Sequence, residues 1–104
     1  MSTTSMSQQG SYTIENLCVV FPNKGHSDRS GQISQGHVTN LTLTGLVLSN
    51  GYAVQDGDTY YWEFDIVWGT QANKSKTTTY LSTNSNLAFQ CSGSVDNPSI
   101  AGPN

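Results

Sequence analysis

A chain of 104 residues is long enough for one domain with one buried core. Its net charge of −3, with only four Lys and Arg, excludes a nucleic-acid surface, which needs clustered cations to displace counterions. No apolar run approaches the length of a membrane-spanning helix, so membrane insertion is not expected.

Charged residues make up 11% of the chain and aromatics 10%, against a background of Ser, Thr, Asn, Gln and Gly. That mixture favours strands over helices. Met1 to Gly10 is polar, with neither the basic start nor the apolar stretch of a secretory signal, and reads as a flexible leader before one domain over 11–104.

A strand pattern begins at Ser11, with Tyr12, Ile14, Cys18 and Val20 on one face and Leu17, Val19 and Phe21 on the other. Pro22 ends it. A long polar loop over 23–36 follows, carrying Asn23, His26, Asp28 and Arg29; loops of that length are often functional. From His37 to Leu48, Leu41 and Leu43 point one way and Asn40, Thr42 and Thr44 the other, with a bulge expected at Gly45. Asn50-Gly51 is the strongest hairpin signal, and Asp56-Gly57 marks a second turn.

The clearest element runs from Asp58 to Trp68. Tyr60, Trp62, Phe64, Ile66 and Trp68 share one face at period two, and Tyr61, Glu63, Asp65 and Val67 share the other. Gly69 to Ser75 turns the chain back into a Thr-rich partner over 76–82 that includes Tyr80. Leu87, Phe89 and Cys91 alternate inward on a last strand, and 92–104 reads as a tail without strand pattern. Short strands with regular turn signals and no helix predict an all-β, two-sheet antiparallel sandwich of mostly up-and-down sheets.

Cys18 and Cys91 admit two readings. They are either buried free thiols, or one disulfide tying the first strand to the last, worth about 4 kcal/mol in the chain-entropy account and favoured outside the cell. The disulfide is the expectation carried forward.

Catalytic patterns are thin. His26-Ser27-Asp28 holds the residue types of a triad, but neighbours on one loop do not form a relay. Glu63 and Asp65 lie on one strand face at about 6.5–7 Å by strand rise, a glycosidase-like spacing; two solvated acids facing Lys74 or Lys76 explain them as well. The chain therefore reads as a non-enzyme. Asp56-Gly57-Asp58 offers two oxygen ligands without an EF-hand pattern, so calcium is the one cofactor left open. Asn40-Leu41-Thr42 and Asn73-Lys74-Ser75 match the glycosylation pattern, the second on the more accessible loop.

Sugars are recognised by amides and carboxylates that bond paired hydroxyls and by an aromatic ring against the apolar sugar face. Residues of these types are Asn23, His26, Asp28 and Arg29 in the long loop, Tyr61, Glu63, Asp65 and Tyr80 on the polar face, and Trp68, Gln71 and Asn73 at the hairpin end. Trp62 is expected in the core.

The stretch Tyr60-Tyr61-Trp62-Glu63-Phe64-Asp65-Ile66-Val67-Trp68, in so short a chain, resembles the small slime-mould (Physarum) hemagglutinins. The resemblance implies a legume-lectin-like or galectin-like sandwich, secreted, that binds glycans of glycoproteins or cell surfaces. Trp62-Glu63 matches a galectin pair, while the galectin His-Asn-Arg run is absent. Asp28, Asn73 and Trp68 match residue types that legume lectins use. Agglutination requires two sites per particle, hence a homodimer or a second site. The competing expectation is a secreted protein-binding module, an effector or inhibitor, with no sugar ligand.

Overall fold

In the computed structural model, which describes residues Met1 to Asn104, the chain forms nine strands and no helix. They are β1 (Thr3–Gln8), β2 (Ile14–Phe21), β3 (Gly25–His26), β4 (Val38–Thr42), β5 (Thr59–Ile66), β6 (Asn73–Lys74), β7 (Thr78–Thr79), β8 (Leu87–Ser94) and β9 (Asn97–Ala101). One sheet has the order β4-β1-β8-β9, the other β3-β2-β5-β6 with β7 also on β5. The all-β, two-sheet architecture matches the sequence pattern. One pairing departs from simple antiparallel order, since β1 runs parallel to β8.

Period-two alternation on β5 produces the core. Tyr60, Trp62, Phe64 and Ile66 are all buried, and they meet Met6 of β1 and Phe89 and Cys91 of β8. The Tyr60 ring lies edge-on to Phe89 at 6.3 Å and tilted against Phe21 at 5.5 Å, geometries that aromatic quadrupoles favour. The buried indole N–H of Trp62 donates to Thr4 Oγ1 at 3.1 Å, which links the sheets and satisfies a donor that burial would otherwise strand.

Residues 1–10 are not a flexible leader. Thr3–Gln8 forms a central strand between β4 and β8, and Ser2, Thr4, Ser5, Met6 and Gln8 are buried. Backbone pairing on both sides satisfies a strand whatever its side chains are, so a Ser/Thr/Gln composition does not prevent burial. The tail expected over 92–104 is likewise ordered: β8 continues to Ser94, and β9 returns along it.

A bulge at Asn16 rephases β2. Glu15 stands opposite Asp65 and Cys18 opposite Glu63, so the stretch between them holds one residue more on β2 than on β5. Asn16 takes φ 57°, a left-handed conformation that Asn tolerates. Ile14, Leu17, Val19 and Phe21 therefore face the core together. Cys18 falls on the opposite face, while Cys91 lies in the core. Placed on two sides of a sheet, they form no disulfide, and both are free and buried. Burial pushes both thiols above their ordinary pKa.

The bulge expected at Gly45 is instead a tight turn. Strand β4 ends at Thr42, Leu46 N–H donates to Leu43 C=O, and Gly45 takes φ 78°.

Candidate functional site

Strand β5 divides the molecule, with its even residues in the core and Tyr61, Glu63 and Asp65 on the outer face of the five-stranded sheet. Register adds Glu15 and Cys18 from β2 and Lys74 from β6. Lys74 stands opposite Glu63, and its Nζ lies 5.5 Å from the Tyr61 ring centre. The Cys18 thiol is surrounded by Glu63, Arg29 and Asp65, which places the exposed Arg29 against this face as well.

Asp65 organises the face. Its Oδ1 accepts the Ala72 N–H at 2.8 Å and its Oδ2 the Asn16 amide at 3.0 Å. It thereby clamps two residues of positive φ, Asn16 at 57° and Ala72 at 54°. The Ala72 bond, then Asn16, then the Arg29 charge hold its pKa below the ordinary carboxylate value. An acid held ionised in this way is not a proton donor at neutral pH.

The β5–β6 turn projects beyond the sheet. Gly69 N–H donates to Ile66 C=O at 3.0 Å and Ile66 N–H to Thr70 C=O at 2.8 Å, closing the turn around Val67 and Trp68. Trp68 takes φ 61° at the position where such turns ordinarily carry Gly or Asn, and it is 98% exposed. The following Gly69 cannot be enlarged: a Cβ there would lie 2.7 Å from Ile66 Cγ2 and 3.0 Å from Val95 Cγ1. Gln71 is exposed on the same turn. Asn73 is not available to a ligand. Its amide donates to the carbonyls of Thr70 and Phe64, and its Oδ1 accepts from the Thr70 hydroxyl.

The ten expected residues thus separate into groups. Trp68, Gln71, Asn73 and Asp65 cluster at one end of the outer face, and Tyr61, Glu63 and Arg29 continue it. Asp28 is exposed on the loop beside Arg29. His26 of β3 stands opposite Val20, which stands opposite Tyr61, so these three form one row across the outer face at the end of β5 remote from Trp68, and Asn23 lies in the turn between β2 and β3. There the His26 Nδ1 bonds the Ser27 carbonyl at 2.7 Å. Tyr80 leaves the polar set altogether, because it is buried in the core.

No protein-family model, curated protein or solved structure matches the chain.

The residues that sequence reasoning missed are Glu15 and Asn16, which the β2 register brings beside Asp65. Their signal is present in the apolar parity, which jumps from Ile14 to Leu17 across one extra residue.

The two carboxylates on which the calcium expectation rests, Asp56 and Asp58, are engaged within the protein. No group of three or more His, Cys, Asp or Glu side chains is arranged to hold a metal ion. Asp56 accepts from the Ser82 backbone and hydroxyl, and Asp58 accepts from Gln55 N–H and Tyr52 O–H. The glycosylation motifs exchange accessibility. Asn40 is exposed on edge strand β4, whereas Asn73 is tied into its turn and the Ser75 hydroxyl accepts the Trp62 N–H. The single surface depression, about 260 Å³, lies elsewhere, lined by Gln32, Ile33, Ser34, His37, Val38 and Thr39. It touches none of the ten expected residues, and its shape alone assigns it no ligand.

Proposed function

We infer that the chain is a lectin, a secreted carbohydrate-binding protein that takes glycans of glycoproteins against the outer face of the five-stranded sheet. One observation carries the reading: Trp68 is fully exposed on a backbone conformation unfavourable to it. A non-glycine residue in the left-handed region costs roughly 1–2 kcal/mol, and here no packing of the ring offsets it. A ring held out in this way is suited to stack on the apolar face of a sugar. Gln71, Arg29, Glu63 and Glu15 supply amide, guanidinium and carboxylate partners for hydroxyls on the adjoining face. His26 and the neighbouring turn residue Asn23 lie at the Tyr61 end of this face, away from the Trp68 turn.

The test is a glycan array followed by fluorescence titration. Trp62 is buried and Trp68 exposed, so a bound glycan should quench or blue-shift the Trp68 emission alone. Trp68→Phe should remove that response. An array without any binder would overturn the reading. Binding to a glycoprotein that persists after its glycans are removed would transfer the surface to a protein partner.

A further inference from the structure

Two sheets have four edges, and three of them here are poorly suited to pairing with another chain. Strand β9 carries Pro98, which has no N–H to donate. Strand β3 on one side of the second sheet, and β6 and β7 on the other, are two residues long.

Strand β4 differs. Gln8 N–H donates to His37 C=O and Leu43 N–H to Ser2 C=O, so the odd-numbered residues of this ladder bond β1. The N–H and C=O groups of Val38, Asn40 and Thr42 consequently point away from the sheet. Their side chains are exposed as well, Val38 at 54%. The strand has no Pro, no Lys and no bulge, the usual devices that keep an edge from pairing.

The charge pattern suits a second copy of this chain. Although the chain carries eleven Asp, Glu, Lys and Arg residues, 4 + 7, none lies anywhere from Ser30 to Gln55. The edge and its surroundings are neutral, so two copies of this acidic protein meet there without repulsion. We propose that β4 pairs antiparallel with β4 of a second copy about a two-fold axis at Asn40, joining two four-stranded sheets into one.

Val38 then stands opposite Thr42 of the second copy, and the two Asn40 amides lie side by side on the outer face. About six inter-strand hydrogen bonds form, two for each pair. The same register carries the Leu43–Gly45 turn of the second copy past His37 and Gly36, against the segment that lines the depression. The one concavity on the surface therefore lies where the partner's turn arrives. Such an assembly also presents two Trp68 turns on one particle, which is what crosslinking of glycans needs. The pairing itself does not depend on the lectin reading.

The test measures mass by light scattering and sedimentation without any glycan. The wild-type chain is expected at twice 11.2 kDa as its concentration rises. Asn40→Lys and Asn40→Asp each place like charges opposite one another across the axis, and each should raise the dissociation constant by about tenfold or more. An equimolar mixture of the two variants should restore dimers. Ser99→Lys, on the other edge of the same sheet, should change nothing. A wild-type chain that stays monomeric to millimolar concentration, or dimers that survive both Asn40 variants, would overturn the proposal.

Discussion

Trp62 and Trp68 lie on one line of alternation, at positions of the same parity, yet they end in opposite environments. Trp62 is 1% exposed, its indole N–H bonded to Thr4 of the facing sheet. Trp68 is 98% exposed, because β5 ends at Ile66 and the chain turns before the alternation is complete. The first joins two sheets. The second is carried on a strained backbone with no internal contact to justify it. Residue type and parity are therefore insufficient to tell a core anchor from a presented ring; where the strand stops decides between them.

The largest effect expected from breaking this contrast is on stability. Trp62→Ala should cost about 3–5 kcal/mol, from the cavity and the lost indole bond to Thr4 Oγ1, read as a lower urea midpoint. Trp68→Ala should weaken glycan binding by about tenfold or more, roughly 1.4 kcal/mol, while leaving the midpoint nearly unchanged. Trp68→Gly should lose binding equally and gain up to about 1 kcal/mol of stability, since glycine adopts positive φ without strain. A Trp68→Gly chain that is markedly less stable would show that the ring packs after all.

Smaller effects concern the clamp behind the turn. The folded pKa of Asp65 is depressed, so its contribution is fully present above the unfolded value and is lost as pH falls through the folded one, below about pH 4. Asp65→Asn should flatten that acid limb in thermal melts taken between pH 2 and 5, to a modest extent because the group is largely solvated. The smallest expected effect is no change at all. Reductant should leave the melting temperature where it is, and a thiol reagent should count two reactive cysteines only after denaturation, since both are free and buried. A drop in melting temperature on reduction would restore the disulfide that the two-sided placement of Cys18 and Cys91 excludes.

Much of the sandwich is legible in the linear chain. Alternation from Tyr60 to Ile66, the Asn50-Gly51 turn and the inward Phe89 and Cys91 reflect local rules, and the fold obeys them. The segments that mislead are those whose structure depends on a partner. Thr3–Gln8 reads as a leader because its side chains are small and polar, but β4 and β8 bond its backbone from both sides. Asn97–Ala101 reads as a tail, although β8 pairs it. The site is half legible. Glu63 and Asp65 share the outer face that alternation gives them, with Arg29 against it; Trp68 and Gln71 fall on the turn beyond β5, His26 joins the Tyr61 end of the face through Val20, and Asn73 is fastened into a turn.

Sequence by itself determined the strand class, the aromatic core face of β5 and the neutral stretch from Ser30 to Gln55, because alternation and charge are properties of the chain. Only the tertiary structure decided that the Asn16 bulge puts Cys18 and Cys91 on different sides of a sheet, that Trp68 stands in solvent and that β4 is left as an open edge. These depend on register and on where each strand ends, and both are set by contacts between segments distant in the chain.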